Sequence, residues 1–459
     1  MKKLFLISTA LLFVANATFA GDYLTNTNQH AAFLRNVARG ASIDIDGVYS
    51  NPAGLSFLDH DGFYLSLTGQ SAFQTREITS SYKTYAMGQN GKPTAIDQNE
   101  FYKGTASAPI IPSFQGVYKR DRWTISASFA ITGGGGKASF DNGLPMFNSI
   151  VKASIFQKTH GALNSSMYDI NTSMDGKQYI FGIQLGFGYK ITDWVSAFVG
   201  GRMNYVSSGY EGYLTANLKT AIPQLDMKKG HELTSIGLDC DQSGWGMTPI
   251  IGLDFKLNKV NFGIKYEFVT NLNIENKTNR LVVPEGMENS DLIKAYADGE
   301  QTPNDLPAML SLAVQYSPIK TLRLSAEYHF FDDKHAGMLN DRQRTLKHGT
   351  HEYLAGVEWD VHRRLTISGG MQRTNYGLSD EFQTDTSFYC DSYSAGFGAR
   401  INFNKGWSMD LAYFWTMYDK YTKTSENYNN TGTKELPLPG TDIYYRTNKT
   451  FGLSLNYKF

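Results

Sequence analysis

The 459-residue chain lacks three features that would indicate other classes of protein. Its 2 cysteines, Cys240 and Cys390, supply neither a disulfide framework nor the ligand spacing of a zinc site. Its 43 Lys+Arg residues balance 43 Asp+Glu residues, so the charge does not indicate a nucleic-acid partner. Beyond residue 20, no apolar run is long enough for a membrane-spanning helix. We therefore predict no metal, no cofactor and no nucleic-acid partner.

The N-terminus has the composition of a secretory signal peptide. Residues 1–3 are Met-Lys-Lys and form a basic start, and the apolar run 4–14 follows them. Cleavage after Ala17 and cleavage after Ala20 both satisfy the small-residue rule, and we assign residues 1–20 to the signal. Secretion leads to an oxidising compartment, where the two cysteines can either form a disulfide or stay as separate thiols.

From Phe63 onwards, apolar residues recur at every second position in one segment after another. In residues 181–189, Phe, Ile, Leu, Phe and Tyr alternate with Gly, Gln, Gly and Gly. Strict alternation indicates strands with two different faces, and in a membrane barrel the apolar face meets lipid. The 44 Gly, 28 Tyr and 28 Phe residues fit that class, because such barrels carry aromatic girdles. The predicted strands are 62–74, 108–119, 122–132, 177–190, 194–206, 245–257, 259–270, 307–317, 321–331, 351–360, 363–373, 391–403, 406–418 and 445–459.

The connections between these segments alternate between tight turns and long loops. Residues 258–259 and 404–406 are examples of the tight connections, and 133–176 and 207–244 are examples of the long ones. This asymmetry is typical of bacterial outer-membrane barrels, in which short turns face the periplasm and long loops face the outside. We predict an all-β fold, a transmembrane antiparallel β-barrel of about 14 strands over residues 61–459.

Residues 39–55, just ahead of the predicted barrel, are poor material for a strand. Pro52 lacks an N–H, three glycines interrupt the stretch, and nothing in it alternates. An irregular segment at the N-terminal end of a barrel can lie only below or inside the barrel. We therefore predict a plug over residues 21–60. Asp44 and Asp46 either dock on arginines of the lumen or cap turns within the plug.

Parity of the alternation assigns a mixed set of charged side chains to the lumen. Burying such charges is tolerated only where they pair or stay hydrated. A barrel of this size has a lumen too wide to be filled by wall side chains alone, so a plug with a charged lining fits it. The lumenal set is Arg202, Lys265, Glu267, Arg323, Glu327, Glu358, Arg400 and Asp410.

The N-terminal motif resembles the hatch of a known family. Residues 38–41 (Ala-Arg-Gly-Ala) and the tripeptide 51–53 look like the hatch of the FadL/TodX family, outer-membrane channels for long-chain fatty acids and other hydrophobic compounds. The resemblance implies a fourteen-stranded barrel and a hydrophobic route through its wall. The last strand ends on the aromatic Phe459 and looks like the signal that the outer-membrane assembly machinery recognises. The plug-motif residues are Asp44, Asp46, Asn51, Pro52 and Ala53.

Two apolar faces in the long loops are candidates for capturing ligand. One begins at Phe147 and has helical spacing, and the other lies on a short candidate helix over 291–296. Either these faces form an apolar groove that collects hydrophobic ligand, or they pack on each other and on the barrel mouth. The candidate ligand-contact residues are Phe147, Ile150, Val151, Ile155, Leu292, Ile293 and Tyr296.

A run of four glycines ends the third predicted strand. In the family that the chain resembles, the third strand is kinked and opens a lateral gap towards lipid. Gly133, Gly134, Gly135 and Gly136 have no side chains to pack and little resistance to bending, so they are the candidate kink. The other interpretation is an ordinary exit from strand to loop.

These features predict a channel in the outer membrane of a Gram-negative bacterium. It would act as a monomer and pass hydrophobic compounds such as long-chain fatty acids inward by diffusion and binding, without enzymatic activity. One alternative is a structural or adhesive barrel whose loops bind partners, and another is an outer-membrane hydrolase. Ser325 and His329 share one strand face but lie too far apart for a direct hydrogen bond without rearrangement.

Overall fold

A computed structural model of the chain describes residues 26–223, 226–283 and 296–459. The predicted signal peptide, residues 1–20, lies outside the described residues, as do the candidate ligand-contact residues Leu292 and Ile293. Within the described part, the chain up to residue 61 forms short helical turns and irregular backbone, and the first strand begins at Gly62.

Helical structure in the described residues is confined to short pieces. The α-helices are α1 (Ala31–Arg35) and α2 (Pro145–Lys158). The 3₁₀ turns are Ile45–Val48, Gly54–Phe57, Asp333–His335, Leu339–Thr345 and Tyr428–Asn430. None of these helices is long and apolar enough to cross a membrane.

The strands of the described residues number seventeen, and all belong to one sheet. The first nine are β1 (Gly62–Met87), β2 (Pro93–Arg120), β3 (Trp123–Phe140), β4 (Tyr168–Lys190), β5 (Val195–Leu218), β6 (Glu232–Leu257), β7 (Val260–Glu267), β8 (Asn273–Val282) and β9 (Gln301–Pro303). The other eight are β10 (Met309–Ile319), β11 (Leu322–Phe331), β12 (Thr350–His362), β13 (Leu365–Asn375), β14 (Ser392–Asn402), β15 (Trp407–Tyr418), β16 (Tyr421–Ser425) and β17 (Gly440–Lys458).

Fourteen of these strands close into a barrel. β1 pairs with β2 on one side and with β17 on the other, so that Leu65 lies opposite both Gly116 and Tyr457. β7 pairs directly with β10, so β8 and β9 do not belong to the closed wall. β8 pairs with the part of β6 that extends beyond β7, and β9 pairs with β8. β16 pairs only with β17 and also stands outside the closed wall. The predicted antiparallel barrel is therefore confirmed, and each predicted segment overlaps one wall strand.

The two faces of the wall differ as the alternation predicts. In β4, Ile183 and Leu185 are 54% and 60% exposed on the outside. Gln184 between them is buried, and its side-chain amide donates a hydrogen bond of 2.6 Å to the carbonyl of Val48 inside the barrel. An apolar outer face with a polar inner face is the arrangement of a barrel that lies in a membrane.

Several strands are much longer than predicted. β2 has 28 residues and β5 has 24 residues, whereas about 9–11 residues are enough for a tilted strand to cross a bilayer. The predicted long loops 133–176 and 207–244 are wrong in part. In the first, β3 continues to Phe140 and β4 begins at Tyr168, and in the second, pairing of β5 with β6 takes up most of the stretch. The apolar alternation marks only the part of a strand that faces lipid, whereas main-chain hydrogen bonds extend the ladder beyond it.

The tight connections all lie at one end of the barrel, which we call the turn end. Asp121, Asn258 and Lys405 in these turns have positive φ values of 52°, 48° and 60°. Asn and Asp tolerate this left-handed conformation well, which is why they are frequent in short turns. The opposite end, here the loop end, carries α2 and the long connections. The predicted alternation of short and long connections is confirmed except between β1 and β2, which residues 88–92 alone connect at the loop end.

Candidate functional site: the barrel interior and a break in its wall

Residues 26–61, the interior segment, run along the inner face of the barrel. All five residues of α1 are buried, and His30 caps this helix through its Nδ1 atom. The His30 Nε2 atom lies 2.8 Å from Ser66 Oγ of β1, and the Ala31 N–H donates to Ser454 Oγ of β17 at 3.2 Å. Polar contacts thus hold the segment to the two strands on which the barrel closes.

A set of wall glycines lets the backbone of the interior segment touch the wall. A Cβ atom added at Gly263 would overlap the carbonyl oxygen of Gly40, and one added at Gly396 would overlap the carbonyl oxygen of Leu34. Only glycine leaves this space free. Gly263 of β7, Gly370 of β13 and Gly396 of β14 meet backbone atoms of residues 34–40, and Gly356 of β12 and Gly452 of β17 meet side chains of the same stretch. The segment is therefore seated against the half of the barrel between β7 and β17.

Two arginines of the interior segment are anchored in carboxylates of the wall. Arg35 Nε lies 2.7 Å from Asp410 Oδ1 of β15, and its Nη1 bonds Glu358 Oε1 of β12. Arg39 Nη1 lies 3.1 Å from the same Glu358 oxygen. Arg35, Arg39 and Asp410 are almost completely buried, so removing one partner would leave an uncompensated buried charge.

Of Asp44 and Asp46, predicted either to dock on lumenal arginines or to cap turns, only Asp44 takes these roles. Asp44 does both, since its Oδ1 accepts a 2.8 Å hydrogen bond from the Ile45 N–H and its Oδ2 pairs with Arg400 of β14. Asp46 pairs within the segment, with each of its carboxylate oxygens 2.7 Å from Arg39. Burial alone would raise the pKa of Asp44, but the positive charges of Arg400 and Arg39 hold that pKa below its ordinary value.

The tripeptide 51–53 is fixed by hydrogen bonds at one end and by packing at the other. Asn51 Nδ2 donates to Asp254 Oδ2 of β6 at 2.6 Å, while its Oδ1 accepts from the Gly54 N–H at 3.2 Å. Pro52 is buried, and Ala53 is 0% exposed where it packs on side chains of β5 and β6. A larger residue in place of Ala53 would therefore collide with the wall.

The hydrogen-bond ladder between β2 and β3 is broken. Along β2, pairing with β3 stops at Phe114 and resumes at Ser107. Residues 108–113 of β2 and 130–136 of β3 consequently have no register partner in the other strand. Pro112, which cannot donate to a ladder, lies within the unpaired stretch. The break is a weak place in the wall, roughly half-way along these two long strands.

The four glycines lie on the β3 side of this break. The alternative interpretation of Gly133 to Gly136 as an exit from strand to loop is wrong, because β3 continues to Phe140. The register of β3 against β4 shifts between Ile131 and Gly133 and again between Gly134 and Gly136, with Gly135 at the second shift. Such shifts are β-bulges, which bend a strand and increase its twist. Both shifts lie inside β3, at the position that a kink in this strand requires.

The beginning of the interior segment covers the broken ladder from inside. The Asn26 N–H donates to the carbonyl of Thr132 at 2.7 Å, and Asn26 Nδ2 donates to that of Gly134 at 2.9 Å. A cavity of about 160 Å³ lies beside this contact, and both strands of the break contribute to its lining. The interior, the break and the cavity therefore form one continuous site.

Helix α2 lies over the loop end of the barrel. Val151 and Ile155 are buried in an apolar cluster with side chains of β4 and β5, whereas Phe147 and Ile150 are only partly buried. Tyr296 is buried in a neighbouring apolar cluster against which Phe147 also packs. The structure therefore brings Phe147 and Tyr296 to one cluster, and leaves Ile150 as a partly exposed member of the predicted face.

Polar contacts fix the orientation of α2. The Met146 N–H in its first turn donates to Asp385 Oδ2 at 2.8 Å, and Lys152 Nζ lies 2.5 Å from Glu100 Oε1. Burial raises the pKa of Asp385, although the charge of Lys423 opposes this rise. The helix is thus attached to the wall and to the neighbouring loop by separate contacts.

The other residues singled out in the sequence form no reactive group here. Cys240 and Cys390 are free thiols, both buried in the same apolar cluster. His329 bonds Glu327 and Glu352, not Ser325. Among the described residues, no group of three or more His, Cys, Asp or Glu side chains is arranged to hold a metal ion.

Sequence reasoning identified the charged lining but missed its glycines and amides. All eight predicted lumenal charges are confirmed on the inner face, where they pair with each other or with the interior segment. The signal for the glycine contacts was present in β7, where Gly263 stands at a lumenal position between Asn261 and Lys265. A glycine in such a place marks a close approach of another backbone.

Comparison with known proteins identifies the fold. No protein-family model matches the chain, and no curated protein does. A crystal structure of a Pseudomonas aeruginosa FadL homologue matches with a TM-score of 0.62 and 16% sequence identity, over 95% of this chain and 99% of that chain. The Pseudomonas putida toluene transporter TodX matches with a TM-score of 0.54 and 13% identity, over 95% of this chain and 100% of that chain.

The protein is thus a fourteen-stranded β-barrel with its N-terminal segment inside. Within that class, it has the fold of the FadL homologue and of TodX along nearly its whole length. The resemblance that the N-terminal motif indicated is therefore confirmed at the level of the fold.

Proposed function

We propose that this protein is an outer-membrane channel that takes up hydrophobic compounds, long-chain fatty acids among them, by passive diffusion. One observation carries the proposal: the interior segment occupies the barrel while the β2–β3 ladder is broken beside an internal cavity. A barrel filled in this way offers water no wide pore, whereas an apolar compound can pass between the interior and lipid through a weak place in the wall. The likeness in fold to a FadL homologue and to a toluene transporter supports this function.

The parts of the site take the following roles in this proposal. The turn end faces the periplasm and the loop end faces outside a Gram-negative cell. There, Phe147 and Ile150 of α2 capture ligand together with Tyr296, which lies in the same apolar cluster as Phe147. The residues Asp44, Asp46, Asn51, Pro52 and Ala53 hold the interior segment as a plug. The glycines 133–136 bend β3 and form the lateral opening. The channel works as a monomer after insertion by the assembly machinery.

Uptake by cells tests the function. The full chain is expressed in a Gram-negative host that lacks its own fatty-acid channel, and entry of radiolabelled decanoate is compared with that in the same host carrying an empty vector. We expect saturable uptake that a protonophore leaves unchanged, because the proposal includes no energy coupling. Uptake equal to that of the empty-vector host would overturn the proposal, and uptake abolished by the protonophore would overturn its passive mechanism.

The long hairpins at the loop end favour a second candidate, an adhesive or structural barrel. β1 and β2 have 26 and 28 residues and pair from Gly62 to Met87, well beyond the length that a bilayer requires. Shortening this hairpin by deleting residues 82–98 distinguishes the two functions. An adhesive barrel would lose attachment of cells to surfaces on this deletion, and its decanoate uptake would equal that of the empty-vector host before and after the deletion.

A further inference from the structure

We propose that the turn end of the barrel binds anionic phospholipids through a ring of exposed basic side chains. This inference goes beyond the proposed function, because it concerns the outer rim of the barrel and does not depend on transport through the interior. It depends on three features of the turn end: an excess of exposed positive charge, the spread of that charge around the whole perimeter, and the aromatic side chains beside it.

The turn end carries more positive than negative charge, although the 43 Lys+Arg residues of the whole chain are balanced by 43 Asp+Glu residues. Its exposed acidic side chains are Asp59, Asp61, Asp121 and Asp193, and two of them are already paired, Asp61 with Lys119 and Asp193 with Lys190. Within the described part of the chain, a larger group of exposed basic side chains forms no ion pair. This group, which we call the basic ring, includes Arg120, Lys259, Lys320, Arg363, Lys405 and Lys458.

The basic ring extends around the whole perimeter of the barrel. The wall strands are joined at the turn end by six connections, and five of them carry a member of the ring: β2–β3, β6–β7, β10–β11, β12–β13 and β14–β15. Lys458 adds a positive charge at the end of β17, where the barrel closes on β1. A soluble acidic protein would contact one part of this end, whereas lipid surrounds a barrel on every side. The distribution therefore favours lipid as the partner.

Aromatic side chains place the basic ring at the level of lipid head groups. Trp407, two residues after Lys405, is 42% exposed on the outside, and its ring lies 4.5 Å from that of Tyr457 on β17. Trp359, four residues before Arg363, is 50% exposed. Exposed Trp and Tyr side chains mark the interface between a bilayer and water. Long basic side chains just beyond this interface reach the head groups with their charged ends.

The outer surface nearer the loop end differs, because basic side chains of the long hairpins there are neutralised. Three exposed lysines form ion pairs with carboxylates of other strands, at distances of 3.0–3.2 Å. The pairs are Lys103 with Glu77, Lys137 with Asp175, and Lys177 with Asp241. Anionic lipids create a negative surface potential that attracts uncompensated basic groups, and zwitterionic lipids carry no net charge. We therefore expect the preference for anionic lipid at the turn end and not near these pairs.

Quenching of tryptophan fluorescence by brominated lipids tests the inference at each end separately. A turn-end reporter is the full chain with Trp245→Phe and Trp415→Phe, which retains Trp123, Trp194, Trp359 and Trp407. It is reconstituted in vesicles that contain phosphatidylglycerol or phosphatidylcholine with dibrominated chains. Both leaflets have the same composition, so the direction of insertion does not matter. We expect phosphatidylglycerol to bind about fivefold more tightly, the effect of one basic side chain near an anionic surface.

Matched variants assign this preference to the basic ring. A loop-end reporter that retains Trp245 alone should be quenched equally by the two lipids. In the turn-end reporter, the combined substitutions Lys259→Gln, Lys320→Gln and Lys405→Gln should remove most of the preference. The same number of charges removed from exposed lysines of the loop end should leave it unchanged. These control substitutions are Lys92→Gln, Lys158→Gln and Lys434→Gln.

Equal quenching of the turn-end reporter by both lipids would overturn the inference and would leave a soluble acidic protein as the partner to seek. If the triple variant does not insert, salt decides: the Debye length is about 3 Å at 1 M salt, so the preference of the turn-end reporter should disappear there. A preference that persists at that concentration would also overturn the inference. Uptake of decanoate is measured independently, so failure of the proposed function is distinguishable from failure of lipid binding.

Discussion

One carboxylate oxygen joins the interior segment to two strands of the wall. Asp254 Oδ2, on β6, accepts a hydrogen bond of 2.6 Å from Asn51 Nδ2 and another of 2.8 Å from Asn261 Nδ2 of β7. Asn51 and Asp254 are almost completely buried, with 2% and 0% exposure. Since water cannot replace either donor at this depth, the contact fixes the tripeptide 51–53 relative to the wall.

We expect Asn51→Ala to loosen the interior segment without unfolding the barrel. The substitution leaves Asp254 with one donor fewer and removes one of the two acceptors of the Gly54 N–H, and an unsatisfied buried polar group costs about 1–3 kcal/mol. Hydrogen exchange measured by mass spectrometry should rise in residues 42–54. Asn90→Ala, at an exposed asparagine of the loop end, should leave this protection unchanged. Unaltered exchange in the Asn51 variant would show that packing alone holds the tripeptide.

The glycine contacts predict a leak. Gly263→Val places a side chain where the carbonyl oxygen of Gly40 lies, so the interior segment must move away from β7. We expect a higher conductance for small ions in planar bilayers. Gly69→Val is the matched control, because a Cβ atom at Gly69 meets nothing within 4 Å. Equal conductance of the two variants would mean that the segment can shift without opening a path.

Glu358 is expected to be the most sensitive charge of the lumen. It accepts from Arg35 and Arg39 of the interior segment and from Arg323 of β11. Glu358→Gln removes the carboxylate charge that these three guanidinium groups share, and breaking a buried pair costs roughly 3–5 kcal/mol. The barrel should then unfold at a lower urea concentration, measured by loss of its heat-modifiable band. Glu435→Gln, at an exposed glutamate of the loop end, provides the baseline, and an unchanged midpoint for Glu358→Gln would contradict this prediction.

The loop between β11 and β12 should loosen as pH rises. Burial raises the pKa of Asp333 from 3.8 to about 7, and its Oδ2 accepts from the Thr350 N–H at 2.7 Å. Between these two pKa values the folded chain keeps a proton that the unfolded chain has lost, so local stability is present at low pH and falls as pH rises towards 7. Exchange of the Thr350 amide should therefore increase across this range beyond its intrinsic pH dependence.

Asp333→Asn separates this effect from other titrations. An asparagine keeps the acceptor for Thr350 and cannot ionise, so the additional pH dependence of the Thr350 amide should disappear. Asp193→Asn, at an exposed aspartate of the turn end, should leave the additional pH dependence of the Thr350 amide unchanged. Persistence of the dependence in the Asp333 variant would assign it to a different group.

Helix α2 allows ligand capture to be distinguished from packing. Ile150 is partly exposed, whereas Val151 is 3% exposed within an apolar cluster. Ile150→Ser should reduce uptake of decanoate at low concentration and leave exchange within α2 unchanged. Val151→Ser should increase that exchange, since burial of such a side chain contributes about 1.5–3 kcal/mol. Normal uptake by the Ile150 variant at every concentration would leave packing as the role of this face.

Alternation along the chain was sufficient to predict the barrel. Residues 181–189 and thirteen further segments carry a period of two, and that period has one physical cause, a wall with lipid on one side and a polar interior on the other. The same parity placed Arg202, Glu358 and Asp410 inside. The strand ends were not predictable, because beyond the lipid no hydrophobic constraint marks where β2 or β5 begins or ends.

The partners of the interior segment were decided by the tertiary structure. Asp44 meets Arg400 across 356 residues and Asn51 meets Asp254 across 203 residues, and no local pattern specifies such pairs. The opposition of Arg76 and Arg446 also follows only from closure of β1 on β17, which sets the register between the two ends of the chain. Composition and periodicity report what each residue faces, whereas the choice of neighbour depends on how the closed wall brings distant strands together.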